Sequence, residues 1–325
     1  MKTTTLAAVL LTVGGLLGHS VLHAQAFPTR PVRLIVPFPP GGPNDVISRV
    51  VADGMREALG QPVVVDNRAG AAGTIGSDAG AKSAPDGYTL TLGSTSTHSL
   101  PTVLGQKIPY DPMRSFAPVG LIGLSPTVLA VSSKLPVKDI GEFIHYARKN
   151  PGRLSYASSG VGSLAHLAGE SFKLETQTFI VHVPYRGTGQ AMADLVGGQI
   201  DMMFDAVVTA KTQADAGKIK ILASGGRARA GGLATIPTLD ESGLKNFDAS
   251  LWLGLFAPAG TPTDVLDKLN AALGKALRAP AIEERLLKFG VTPSPSPRAD
   301  LGKYMQDVET YWQTIVKTRG IKAND

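Results

Sequence analysis

The 325-residue chain has no cysteine, which excludes disulfides, thiolate metal sites and a lipid anchor on an N-terminal Cys. Its formal charge of +6 is spread over scattered basic residues with no nucleic-acid-binding motif, so nucleic acid is excluded as a partner and the charge reads as that of a soluble surface. A secreted chain without disulfides must be held by its core, and this length allows two compact lobes.

Lys2 precedes an apolar run from Leu6 to Leu17 that is interrupted only by Thr12, Gly14 and Gly15. Ala24-Gln25-Ala26 then places small residues where a signal peptidase reads. This order predicts a secretory signal peptide over residues 1–26, cleaved after Ala26, and the run is too short to span a bilayer. No later apolar run reaches the ~18 residues of a membrane helix, so the mature protein is expected to be soluble.

Strands then alternate with helices. Val32 to Val36 is a β-branched run that stops at Pro37, and a Pro/Gly-rich turn follows from Phe38 to Pro43. Val46, Val50, Val51, Met55 and Leu59 recur at helical spacing up to Gly60. Val63 to Val65 reads as a strand, Ala69 to Gly73 as a turn, and a helix runs on through Lys82. Tyr88 to Leu92 is the next strand. The plan repeats with strands at Thr127–Val131, Leu154–Ala157, Phe179–Val183, Ile200–Phe204 and Ile219–Ala223. Helices are expected over Val137–Lys149, Leu164–Leu174 and Gly187–Gly197. Three helices close the chain, ending at Leu277, Phe289 and Thr318, and can pack outside the sheet without extending it. The β-loop-α order implies an α/β fold with parallel, doubly wound sheets.

Four Gly- or hydroxyl-rich turns fall between a strand and a helix: Pro39-Pro40-Gly41-Gly42-Pro43-Asn44, Gly70 to Thr74, Ser158 to Ser163, and Tyr185 to Gly189. Ligands of open α/β sheets bind at the carboxyl ends of strands. The helix after each turn offers unpaired N–H groups and a partial positive charge, so several such turns on one cleft can bind a carboxylate. Each turn alone can equally be an ordinary capped connection; their presence in both halves favours a site. Neither the P-loop nor the Gly-x-Gly-x-x-Gly pattern occurs. Gly-x-Ser-x-Gly is also missing, and a Ser163–His166–Asp205 triad would be a geometric guess. His98, His145, His166 and His182 lack metal-ligand spacing, so neither metal nor cofactor is expected. Asp45 reads as a carboxylate at a helix N-terminus, or else as the partner of a ligand ammonium group.

The ordered set of motifs resembles the TctC/Bug family, the extracytoplasmic solute receptors of tripartite tricarboxylate transporters. It comprises Pro39 to Asp45, Asp66 to Gly73, Pro85 to Leu90, Ser158 to Ser163, His166 to Glu170, Val183 to Gly187, Gly197 to Asp201 and Trp252 to Pro258. The resemblance covers essentially the whole mature chain and implies a type II periplasmic-binding-protein fold with two doubly wound lobes and a ligand cleft between them. Residues 27–124 and 252–325 would form lobe one, and residues 125–251 lobe two. The ligand would meet Pro39, Pro40, Gly41, Gly42 and Asn44 from lobe one, and Ser158, Ser159, Gly160, Val161, Gly162 and Ser163 from lobe two. Thr95, Ser96 and Thr97, with His98 after them, and Asp205 look like further walls; His166, Tyr185 and Arg186 complete the expected set. Phe204 to Val208 departs from the family wording, and the prolines before Gly41 stiffen that loop.

The resemblance implies a periplasmic receptor with no catalysis. It would bind a small organic acid (a carboxylate, amino acid or aromatic acid) and serve inner-membrane transporter subunits. A sensor subunit for a membrane kinase is the alternative of the same fold, and a serine hydrolase the alternative of a different class. Intact-mass measurement of the secreted protein is expected to give a chain starting at Phe27; a mass retaining residues 1–26 would reject the cleavage.

Overall fold

A computed structural model describes residues 27–227, 229 and 232–319; the expected signal peptide and its cleavage site lie outside them. The chain opens with β1 (Val32–Val36), whose Pro37 ends it, and the 17-residue α1 (Pro43–Leu59). Pro43 occupies the first helical position, where its missing N–H costs nothing, and Gly60 ends the helix in the left-handed conformation. Next come β2 (Val63–Asn67), α2 (Thr74–Ala81), β3 (Thr89–Ser94) and two short helices, α3 (Thr95–His98) and α4 (Leu100–Val103). The 17-residue β4 (Phe116–Ser132) leads to α5 (Ile140–Lys149), β5 (Ser155–Ser158) and α6 (Leu164–Thr176). Then follow β6 (Val181–Pro184), α7 (Thr188–Gly197), β7 (Met202–Ala206), α8 (Val207–Asp215) and β8 (Ile219–Ser224). The chain closes with β9 (Ser250–Pro258), α9 (Thr263–Arg278), α10 (Pro280–Lys288), β10 (Thr292–Pro293) and α11 (Arg298–Arg319).

The strands form two sheets built on one plan. In the first, β2, β1 and β3 are parallel, and β9 and β4 continue antiparallel beyond β3. In the second, β6, β5 and β7 are parallel, and β4 and β8 continue antiparallel beyond β7. The fourth strand of the second sheet, β4, runs on from the first. β4 therefore belongs to both: Phe116 to Pro126 pairs with β9, and Thr127 to Ser132 pairs with β7 and β8. This is the two-lobed type II periplasmic-binding-protein architecture.

Alternation along β4 sends side chains to opposite faces. Val128 and Ala130 pack with Ala191, Leu195 and Val207 of α7 and α8, whereas Leu129 and Val131 join the larger core with Phe172. Core residues along α1 meet α9: an added Cβ at Gly54 would lie 2.9 Å from the Ala276 Cβ, so glycine allows these helices to touch.

Several expected elements changed length for visible reasons. β4 begins eleven residues before Thr127, because bulges at Pro118/Gly120 and Leu121/Gly123 accommodate residues that normally interrupt a strand. α5 starts at Ile140, since the Asp139 carboxylate accepts the Glu142 N–H at 2.8 Å while Glu142 accepts the Lys138 N–H at 2.8 Å. The C-terminal segment does extend the sheet, because β10 between α10 and α11 pairs with β4. α8 is absent from the expected elements, because Val207, Val208 and Thr209 open it with a β-branched run.

Thr127 ties the two interlobe passages together. Its N–H and Oγ1 both donate to the Ala249 carbonyl, at 3.3 and 2.8 Å, and its carbonyl accepts the Gly225 N–H at 2.7 Å. Thr127→Val keeps the shape and the β propensity but removes a buried hydroxyl donor. The expected cost is about 1 kcal/mol, read as a lower urea midpoint with an unchanged m-value.

Candidate ligand-binding cleft between the lobes

A cavity of about 830 Å³ opens between the lobes. Lobe one contributes the loop before α1, the turn before α2, and Ser96 of α3; lobe two contributes the starts of α6, α7 and α8. Most of the wall is apolar, including Phe38, Pro39, Ile75, Leu164, Phe204 and Leu251. Arg186 and Asp205 are the only charged side chains among the lining residues.

The polar character comes mainly from helix starts. α1, α7 and α8 have no side-chain cap, and Asn44, Thr188, Gly189, Gln190 and Ala206 at their starts line the cavity. The first N–H groups of a helix have no acceptor inside it and carry the positive end of the macrodipole. Asp45 does not face a ligand here. Its carboxylate accepts the Gly41 N–H at 2.9 Å and pairs with Arg49 at 2.9 Å, fixing the loop that precedes α1.

The lobes touch around the cavity. Ser96 Oγ of lobe one accepts the Leu164 N–H at the start of α6, at 3.0 Å. Gly187 approaches Pro39 so closely that an added Cβ would lie 2.9 Å from that ring.

Of the residues expected from sequence, Pro39, Pro40, Gly42, Asn44, Ser96, Ser159, Arg186 and Asp205 line this cavity. Gly41, Thr95, Thr97, Ser158, Gly160, Val161, Gly162, Ser163, His166 and Tyr185 are not among its lining residues. The Ser158–Ser163 turn uses its polar groups on itself. The Gly160 N–H bonds Ser158 Oγ at 3.2 Å, and the Gly162 N–H bonds His166 Nδ1 at 3.1 Å. Ser163 Oγ accepts the His166 backbone N–H at 3.3 Å, as a helix cap does, and is fully buried. Ser163 is therefore built into a helix start and does not stand as an open nucleophile. Ser158 Oγ is buried and lies 2.7 Å from Nε2 of the half-buried His182.

Thr95 and Thr97 are structural in the same sense. Thr95 Oγ1 accepts the Trp252 N–H at 3.0 Å, and Thr97 Oγ1 accepts the Ser94 N–H at 3.1 Å. His98 is enclosed by Phe116, Phe256 and Trp252. Tyr185 donates its hydroxyl to Asp194 at 2.6 Å. The expected set omitted Ala69, Gly70, Ala71, Ile75, Thr188, Gly189 and Gln190, although the turns at Gly70 and Gly187 had the right strand-to-helix position.

Such a cavity, formed by two α/β lobes joined by shared strands and floored by helix starts, defines a solute-binding protein. Residues 47–321 match the family model described as "Tripartite tricarboxylate transporter family receptor". The chain belongs to this TctC/Bug family, whose receptors are periplasmic. Solved relatives include the periplasmic binding protein BugD, at 35% identity and TM-score 0.87 over 91% of this chain and 99% of that one. MatC from Rhodopseudomonas palustris, solved with bound malate, has 34% identity and TM-score 0.84 over 89% of this chain and 100% of its own. Rpa4515 from R. palustris, solved with adipate, has 34% identity and TM-score 0.88 over 91% and 99%.

Asp205 sits at the end of β7 and is 3% exposed. Burial pushes its carboxyl up to about 7, against hydrogen bonds from Thr209 and the Ala206 N–H that hold it down. The folded chain thus keeps a proton that the unfolded chain releases near pH 4. Stability from this group is complete below that pH and is lost as pH rises through about 7, by on the order of 1 kcal/mol per pH unit at most. His98 and His182, pushed down by burial to about 3 and about 4, act oppositely below pH 6.5, so the comparison must be between variants. Calorimetric melting of wild type and Asp205→Asn is expected to show the variant gaining relative stability from pH 5 to pH 8. An equal difference at both pH values would refute the assignment.

Proposed function

We propose that this chain captures a small carboxylate-bearing organic solute in the periplasm and presents it to the membrane subunits of a tripartite tricarboxylate-type transporter, without chemistry of its own. The observation that carries this reading is the convergence of uncapped helix starts from both lobes on one interlobe cavity. A carboxylate placed there accepts backbone N–H groups and meets the positive ends of the macrodipoles. Each favourable helix end contributes about 0.3–1 kcal/mol when exposed and up to ~2 when partly buried. Malate in MatC and adipate in Rpa4515 support the same ligand class.

In this reading residues 27–124 with 252–325 close on residues 125–251 by bending where β4 and the return into β9 pass between sheets. Pro39, Pro40, Gly42 and Asn44 face the ligand from one side, and Ser159, Arg186 and Asp205 from the other. The α7 start, with Thr188, Gly189 and Gln190, takes the donor role that the Ser158–Ser163 turn spends internally. Arg186 is exposed at the cavity wall and makes no ion pair among the described residues, so it adds attraction at the entrance.

A thermal-shift screen over malate, adipate, amino acids and aromatic acids tests the reading, because a ligand of the native state alone raises apparent stability, by about 2.7 kcal/mol at a hundredfold excess over Kd. At least one acid is expected to raise Tm; a flat response to all would reject a carboxylate site. The acid giving the largest shift is then titrated into variants. Gly187→Val puts a side chain into Pro39 across the cleft, and is expected to weaken binding at least tenfold, about 1.4 kcal/mol, with the circular dichroism spectrum unchanged. Arg186→Ala is expected to cost less. If only Arg186→Ala loses affinity, the helix-start mechanism is wrong.

A further inference from the structure

The cavity wall has an uneven supply of partners. Arg186 is its only cationic side chain, so side-chain charge can neutralise one carboxylate. One acceptor faces the other way. Asp205 lines the cavity from lobe two and receives hydrogen bonds from Thr209 and from the Ala206 N–H. A carboxylate has room for about four such bonds, so acceptor capacity is left over. Asn44 also lines the cavity, but its Oδ1 is shut off from it and offers a ligand no acceptor.

We propose that the solute of this cleft carries one carboxylate and, apart from it, a nitrogen donor (an ammonium or amide N–H) that Asp205 accepts, so that the cleft selects such acids against dicarboxylates. The inference rests on the carboxylate reading above. A second carboxylate at Asp205 has two bad choices. Asp205 ionised would put like charges in a poorly hydrated place, and above about pH 7 meeting the second carboxylate in protonated form would require a proton to be taken up with the ligand. An N–H turns the same wall into a complementary one. The apolar wall, which includes Phe38, Ile75, Phe204 and Leu251, suits a methylene chain or an aromatic ring joining the two polar ends of the solute. The same acceptor would discriminate strongly, because a site built to pair with a donor rejects the analogue that lacks one.

Isothermal titration of the mature chain with matched acids decides the point. The sets are adipate, its monoamide adipamate and 6-aminohexanoate; glutarate, glutaramate and 5-aminopentanoate; and terephthalate, terephthalamate and 4-(aminomethyl)benzoate. In at least one set a nitrogen-bearing acid is expected to bind at least tenfold more tightly than its dicarboxylate, and Asp205→Asn is expected to shrink that ratio below threefold. A dicarboxylate that binds as tightly or more tightly in every set that binds overturns the proposal and leaves the carboxylate reading standing. A preference that survives in Asp205→Asn overturns the role of Asp205. No binding by any acid of the three sets, in a protein that also gives no thermal shift with any acid of the wider screen, overturns both readings; a shift with another acid but no binding here overturns this one alone. Should Asp205→Asn fail to fold, the wild-type ranking across the three sets still decides.

Discussion

β4 can serve two sheets only because it is continuous across the gap between them. Its first eleven residues pair with β9 and its remaining residues with β7 and β8. The second sheet is not complete without the end of a strand that begins in the first. The lobes therefore cannot separate as independent domains, yet they meet through few backbone passages and can bend there. Thr127 stands at that point with both its backbone groups and its hydroxyl engaged across the passages. The cleft follows from this constraint: each lobe aims the carboxyl ends of its parallel strands, and thus its helix starts, toward the space between them.

That arrangement makes a charge-poor site sensible. An ion pair in a closing cleft must shed the hydration of both partners, and the desolvation cost can exceed the attraction. Helix starts carry partial charges that are already held in place by the fold, so less has to be reorganised when an anion arrives. The close approach of Gly187 to Pro39 and the Ser96–Leu164 hydrogen bond bring the lobes together around the cavity. Excluding water in this way strengthens each N–H contact within.

Much of the fold was legible because apolar periodicity and punctuation agreed. Val32 to Val36, the α1 stripe with Gly60, and the alternation of strands and helices from β5 through β7 all have local signals. The first part of β4 did not, since Pro118, Gly120 and Gly123 read as a break and only the paired bulges explain them. Gly123 in particular looks like a turn residue, but a Cβ there would lie 2.3 Å from the Thr292 carbonyl of β10, a contact from a distant part of the chain.

The site was legible by type more than by member. Strand-to-helix turns were found in both halves, but a turn rich in Ser and Gly looks the same whether its donors face a ligand or one another. In Ser158 to Ser163 they face one another: Ser158 Oγ takes the Gly160 N–H, His166 Nδ1 takes the Gly162 N–H, and Ser163 caps α6. The plainer turn before α7 has no side chain to cap it, because Gly187 occupies the N-cap. Its N–H groups are left for something outside the chain. A residue that completes its own turn is removed from the pool of ligand donors, whereas the uncapped start of α7 keeps its N–H groups for the cavity that it lines. The same logic applies to the acids: Asp45 is spent on Gly41 and Arg49, whereas Asp205 keeps capacity that faces the cavity.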